Sequence, residues 1–188
     1  MANLLDMVGG VIIAGFVLLG LLAVMLFVQE SEVNNTMDNM VQLTTTNVGS
    51  ILENDFRKIG FMVPVGGSKI VAADSTSITF RGDVDSTGSI DSVRYYLGSA
   101  SSLSMTPNPY DRPLYRVFNG VTQKGSNFGL TDFTFTYYDS TGAVTTTVSR
   151  IKTILVKMTI QSIAANNGRY AGTYWQARFR PMNLSVIY

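Results

Sequence analysis

The sequence of 188 residues contains neither cysteine nor histidine. Without cysteine there is no disulfide framework and no thiolate metal site, so packing and hydrogen bonds must hold the fold. Without histidine the chain lacks the commonest general base and the commonest metal ligand. Its one nucleophile-like pattern, S-x-x-K at 149–152, lies in a stretch that alternates like a strand and has no S-D-N or K-T-G partner motif. The chain has no phosphate-binding glycine loop and no pair of carboxylates at a useful spacing. We therefore predict that the protein is not an enzyme.

Proline and positive charge are both missing from the first part of the chain. The first of the five prolines is Pro64, and the first basic residue is Arg57. Residues 1–56 carry six acids and no base, whereas residues 57–188 carry seven acids and all 14 bases, a net charge of +7. This division indicates either an anionic partner for the basic part or contacts between the acidic part of one copy and the basic part of another.

An uncharged run of 22 residues, MVGGVIIAGFVLLGLLAVMLFV (7–28), is the most informative feature that the chain does have. As a helix it would extend about 33 Å, enough to cross a hydrocarbon layer of ~30 Å. A cleaved secretory signal is disfavoured, because the flank MANLLD has no base and the apolar core is too long. A plain membrane anchor fits the length of this run, but it does not explain the acid, Asp6, at the edge of the run.

The apolar pattern continues beyond residue 28 on one face only. Residues spaced by three or four form an amphipathic stripe: Val33, Met37, Val41, Thr44, Val48, Leu52, Phe56 and Ile59. We predict one helix from about residue 3 to about residue 59, ~85 Å long, which ends at Gly60. The chain then divides into an apolar half-helix (1–28), an amphipathic half-helix (29–60) and a β-rich head (61–188).

From residue 69 onward the pattern alternates with a period of two. It predicts strands at 69–73, 77–82, 90–97, 113–118, 131–139, 143–149, 150–161 and 172–187, the last interrupted near Pro181. Hairpin turns are predicted at Asn119-Gly120 and Asn167-Gly168, and further turns at the two DSTG tetrapeptides. Segment 98–112 is predicted to be an irregular surface loop. The fold class is α+β, a long N-terminal helix packed on an antiparallel β-sheet head.

With Met1 set aside, the chain begins ANLLDMVGGVIIAG, with an acid at the fifth position before an unbroken apolar helix. This start resembles the mature N-terminus of type IV pilins and of type II secretion pseudopilins, and the resemblance covers residues 1–60. The stretches DFRKIGF (55–61), GDVDSTGSIDSVRYYL (82–97) and LTDFTFTYYDSTG (130–142) are loosely similar to the heads of minor pilins and J-type pseudopilins. This chain has Asp6 where the family usually has Glu, and it cannot form the C-terminal disulfide loop of many pilins.

The resemblance implies a structural subunit of an extracellular helical filament that is anchored in the inner membrane before assembly. Its partners would be copies of itself and the inner-membrane pilus assembly machinery. The alternatives are a minor pseudopilin of a type II secretion system and a singly anchored surface binding domain that does not polymerise. We disfavour nucleic-acid binding, because aromatic-rich strands more often pack a sheet than stack bases.

Three groups of residues are predicted to act in assembly. A carboxylate near the bilayer is costly, and Asp6 would lose most of this cost by pairing with the free α-amino group of the next subunit. A helix-cap role is the alternative for Asp6. Gly15 and Gly20 are predicted to make the apolar half-helix extensible, with at most a short unwound stretch between them. Some of the acids beyond the apolar run are predicted to contact basic residues of adjacent heads: Glu30, Glu32, Asp38, Glu53 and Asp55.

Residues 83–94 follow much of the pattern of a calcium-binding loop. Asp83, Asp85 and Thr87 occupy positions one, three and five, a glycine occupies position six, and Asp91 occupies position nine. Arg94 replaces the bidentate acid of position twelve. We favour a polar hairpin turn here and keep a calcium site as the alternative; no other cofactor is predicted.

Overall fold

One helix runs through the first third of the chain in the computed structural model, which describes residues 2–103, 106–124 and 129–185. This helix, α1 (Ala2–Arg57), continues without a break across the glycines of its apolar half. Lys58–Gly60 form a turn after it, and Gly60 takes the left-handed conformation, with φ of 76°, that glycine tolerates best. The predicted single helix is confirmed to within two residues at each end.

The head contains two antiparallel sheets within the described residues, and within each sheet the strands pair in sequence order. The five-stranded sheet consists of β1 (Ile70–Ala73), β2 (Ser77–Gly82), β3 (Asp91–Leu97), β4 (Leu114–Phe118) and β5 (Val121–Lys124). The three-stranded sheet consists of β6 (Leu130–Tyr138), β7 (Thr153–Gln161) and β8 (Gly172–Phe179). A short helix, α2 (Met182–Ser185), follows Pro181. The predicted α+β class is confirmed, with two sheets in the head.

The predicted turns form as their residues require. Asn119 and Gly120 both have positive φ, 49° and 83°, and join β4 to β5 as a two-residue hairpin. Asn167 and Gly168 have the same conformation, with φ values of 49° and 77°. In each DSTG tetrapeptide the aspartate carboxylate accepts a hydrogen bond from the backbone N–H of the threonine two residues later. Segment 98–112 contains no strand in its described part, as predicted.

Two strand predictions are wrong, and one strand is missing from the predictions. Residues 143–149 form no strand. Beside β6 they make one isolated bridge, from Val144 to Tyr138, and one hydrogen bond, from the Thr145 N–H to the Tyr137 carbonyl. Most of their side chains are exposed, so the segment has no continuous face to bury. The strand predicted at 172–187 ends at Phe179, because Pro181 lacks the N–H that would continue the ladder. Its predicted residues 186 and 187 lie outside the described part of the chain. Conversely, β5 was not predicted, since VTQK holds a single apolar residue.

The apolar residues of the amphipathic stripe of α1 are buried from Val41 onward, and Thr44 is half-buried. Val41, Val48 and Leu52 are at most 4% exposed, and Ile59 lies in the same core, whereas Val33 is 44% exposed. The sheets therefore cover only the last part of the helix. The predicted burial of the stripe is confirmed there and is wrong for Val33.

Phe56 lies at the centre of the core and contacts both sheets. Its ring centroid is 5.5 Å from that of Phe80 and 5.9 Å from that of Tyr95, which belong to the five-stranded sheet. It is 6.1 Å from Phe135 and 5.1 Å from Phe179 of the three-stranded sheet. These spacings are those of favourable aromatic pairs. One helical side chain thus joins the two sheets.

Trp175 of β8, the single tryptophan, packs over Gly49 of α1. A Cβ atom at Gly49 would lie 3.2 Å from atoms of the indole ring, closer than ordinary van der Waals contact. The glycine therefore lets β8 approach the helix at this level.

Replacing Phe56 tests its central position. Phe56→Ala should lower the free energy of unfolding by about 3–5 kcal/mol, because the substitution removes a fully buried ring and leaves a cavity between two sheets. Urea denaturation of the full chain in detergent, followed by circular dichroism, measures this loss. The control Leu43→Ala, on the same helix but 65% exposed, should change stability by less than about 0.5 kcal/mol. Equal losses in the two variants would contradict the central role of Phe56.

Candidate assembly surface

The apolar half of α1 is uncovered along its whole length. Its large apolar side chains from Leu4 to Val28 are between 46% and 75% exposed. Within the described residues, α1 is the one helix long and apolar enough to cross a membrane. An exposed apolar surface of this size marks contact with a membrane or with other proteins.

The predicted assembly residues of this half lie on its open surface. Asp6 is exposed, and within the described residues it makes no hydrogen bond or ion pair. Gly15 and Gly20 have no atom within 4 Å of the place a Cβ would occupy, so close packing of the head does not require them. No unwound stretch occurs at them in the single subunit. Extension on assembly stays a prediction.

The next acids lie where the head first meets the helix. The Glu30 carboxylate accepts a hydrogen bond of 2.7 Å from the side-chain amide of Asn167. Glu32 is exposed and Asp38 half-buried, and neither forms an ion pair within the described part of the chain. Contact of Glu32 and Asp38 with neighbouring heads stays a prediction. Glu53 pairs with Arg57 on the exposed helix surface, at 3.2 Å.

Asp55 faces its own head and is therefore not among the acids that could contact a neighbouring head. The side chain is buried, and its carboxylate accepts hydrogen bonds from the Tyr95 hydroxyl at 2.5 Å and from Arg116 Nε at 2.7 Å. Arg116 also donates to the Gln123 side chain of β5 at 2.8 Å. These contacts connect α1 to β3, β4 and β5. We call Asp55, Tyr95 and Arg116 the polar clamp.

The protonation states of the polar clamp follow from its burial. Burial raises the pKa of Tyr95, and the neighbouring Asp55 charge raises it further, so the phenol stays protonated and donates its hydrogen bond. Burial alone would lower the pKa of Arg116, but the hydrogen bond to Asp55 leaves this pKa above its ordinary value. A buried ion pair of this kind fixes register because wrong registers leave a charge unpaired.

The predicted calcium-loop residues do lie together. Carboxylate oxygens of Asp83, Asp85 and Asp91 lie within 4.8 Å of one another, and the Thr87 hydroxyl donates to Asp85 at 2.7 Å. That hydrogen bond is the main reason why the pKa of Asp85 lies below its ordinary value. The group sits between β2 and β3, beside the end of α1. It has the oxygen chemistry that calcium prefers.

The same carboxylates already accept hydrogen bonds from the loop itself. Asp83 accepts from the backbone N–H groups of Thr87 and Gly88, at 2.9 and 3.0 Å. Asp91 accepts from the Val84 N–H at 3.0 Å and from the Asn119 side chain at 2.8 Å. In addition, the Lys58 ammonium group donates to the Val84 carbonyl and the Ser86 hydroxyl. This arrangement favours the polar turn, and calcium stays the alternative.

Two further features, an apolar surface groove and a buried carboxyl group, were not predicted. Met37, Met40 and Leu43 of α1, with Ile160 and Ile163 of the head, line an apolar groove of about 470 Å³. Asp111 is 1% exposed, and within the described residues neither carboxylate oxygen has a hydrogen-bond partner. Burial raises the pKa of this carboxyl.

The fold is thus an α+β arrangement of one long helix followed by antiparallel sheets of five and three strands, consistent with a pilin-like layout. No protein-family model, curated protein or solved structure matches this chain. Its function is therefore inferred from the uncovered apolar half-helix, from Asp6 and from the way the head binds α1.

The polar clamp can be tested by removing its cation. Arg116→Gln leaves the Asp55 carboxylate buried without a counter-charge, and we expect a loss of about 3 kcal/mol of stability, since Arg116 itself is 21% exposed. The control Arg57→Gln removes the exposed Glu53 pair and should cost less than about 0.5 kcal/mol. Adding Asp55→Asn to Arg116→Gln should recover part of the loss, as measured by urea denaturation. Equal stabilities of Arg116→Gln and Arg57→Gln would argue against the clamp.

The aspartate loop can be tested with calcium. Because its carboxylates already have donors and Arg94 occupies the twelfth position, about 1 mM calcium should leave the unfolding temperature unchanged. Differential scanning calorimetry with and without the ion measures this. The calcium alternative would be established by a rise that Asp85→Asn abolishes and that Asp139→Asn, at the second DSTG turn, retains.

Proposed function

We propose that this chain is a structural subunit of an extracellular helical filament of the type IV pilus kind. Before assembly the apolar half of α1 holds it in the inner membrane. The observation that carries the proposal is that this half projects uncovered from a folded head. Covering each large apolar side chain is worth about 1.5–3 kcal/mol, so the helix requires lipid first and neighbouring helices afterwards.

Asp6 supports assembly over simple anchoring. At the start of α1 the carboxylate can remain near the membrane surface, where its cost is small. Inside a bundle of apolar helices it needs a partner, and the free α-amino group of an adjacent subunit supplies one at a single register. A charge that is paired only in the correct register selects that register.

The charge distribution supports a staggered arrangement of copies. Glu32 and Asp38 lie on α1 beyond the apolar half, free of ion pairs within the described residues, and the part of the chain after residue 56 has a net charge of +7. When copies are staggered, this part of one helix lies beside the head of another. Each exposed pair is worth only about 0–1 kcal/mol, but the contact repeats at every subunit.

The role proposed is structural, with copies of the chain and the inner-membrane assembly machinery as partners. Asp6→Ala should remain inserted in membranes with a folded head but should reduce the fibre yield at least about tenfold, the effect of losing roughly 1.4 kcal/mol per contact. Electron microscopy and quantification of sheared surface material in cells that carry only the variant chain measure the yield.

Two controls separate the charge from the position. Asn3→Ala removes an exposed polar side chain from the same end of α1 and should leave the fibre yield unchanged. Asp6→Glu keeps the carboxylate and should preserve fibres. A normal yield from Asp6→Ala would refute the role of Asp6, and the absence of fibres from the unaltered chain would favour the singly anchored surface domain.

A further inference from the structure

The connection between β7 and β8 (residues 162–171) reaches α1 close to the end of the apolar run. The Asn167 side chain donates to Glu30 at 2.7 Å, and the Asn166 side chain donates to Asn34 at 3.1 Å. Reciprocal backbone hydrogen bonds of 2.9 Å between Asn166 and Arg169 close the turn. The tip of the head is thereby held at the level of helix residues 30–34.

This level corresponds to a defined depth at a membrane. Glu30 and Asn34 lie two and six residues beyond Val28, or about 3 and 9 Å along the helix axis. The polar headgroup layer on each side of the hydrocarbon core is roughly 5–8 Å thick. When residues 7–28 span the core, the turn must lie in or against the headgroup layer. The apolar groove at Met37–Leu43 lies about 14–23 Å beyond Val28, outside this layer.

The composition of the connection fits that depth. It contains no acid and one base, Arg169, which is exposed. Tyr170 follows Arg169 in the sequence and is half-buried, so an aromatic side chain accompanies the cation. Aromatic and basic side chains are favoured at the boundary between lipid and water, and anionic headgroups attract exposed arginine.

We propose that residues 165–170 form a lipid-contacting tip, with Arg169 bound to the phosphate of an anionic phospholipid in the membrane-anchored subunit. The inference rests on the membrane anchor of the proposed function and adds a second attachment point to it. The helix fixes the head's depth, and the tip fixes its rotation about the helix axis. Release from the membrane would then require breaking both contacts.

The absence of cysteine allows single labels in the full chain. Ala165→Cys places a fluorophore on the exposed tip, and Ala143→Cys places it on an exposed turn at the opposite end of the three-stranded sheet. In phosphatidylglycerol-containing vesicles with headgroup-spin-labelled lipid, the Ala165 label should be quenched roughly fivefold more than the Ala143 label, the ratio that one basic residue at an anionic surface supports. Equal quenching would overturn the tip.

The charge contribution is tested in the Ala165→Cys background. Arg169→Gln should remove most of the excess quenching in anionic vesicles, whereas Arg180→Gln, an exposed arginine after β8, should not. Equal effects of the two substitutions would overturn the role of Arg169.

A label at Phe16→Cys distinguishes failure of the tip from failure of the anchor. Quenching of this label by acyl-chain quenchers together with an unquenched Ala165 label would overturn the tip and leave the filament proposal intact. A Phe16 label that stays in water would overturn the anchor and the tip together.

Discussion

The burial of Phe56 between two sheets is the interaction on which the head depends. Phe80 and Tyr95 approach the ring from one sheet, and Phe135 and Phe179 approach it from the other. No disulfide can replace this contact, since the chain has no cysteine. The last part of α1 is therefore a component of the head's core. The sequence boundary at residue 60 does not separate two units that could fold apart, because the sheets meet on the helix that precedes it.

The two ends of α1 differ in whether their acidic and apolar side chains find partners within the same chain. At the C-terminal end, the Asp55 carboxylate accepts hydrogen bonds from Tyr95 and Arg116 of the same chain. At the N-terminal end, Asp6 and the apolar side chains that follow find no partner among the described residues. A folded subunit is thus complete at one end and incomplete at the other. This asymmetry is the physical reason why we propose that the chain associates with lipid and with further copies of itself.

Local sequence patterns predicted the helix and most of the strands and turns. The arrangement of the sheets and the partners of buried side chains depend on contacts between distant segments. The helix, the Asn-Gly hairpins and the α+β class follow from periodicity and turn chemistry. The division into two sheets does not, because it depends on strands far apart in the sequence meeting at Phe56. The burial of Asp55 could have been recognised: it lies three residues after Leu52 and four before Ile59, on the buried face. The pairing of Asp55 with Arg116, 61 residues away, gave no local signal.

The contact between Trp175 and Gly49 gives the protein an intrinsic optical reporter. With a single indole in the chain, all tryptophan emission comes from the place where β8 lies against α1. Separation of head and helix would bring water to this indole and shift its emission to longer wavelength. Because lipid and neighbouring helices would cover the opposite end of α1, the same signal would report on the folding of the head without interference from membrane insertion.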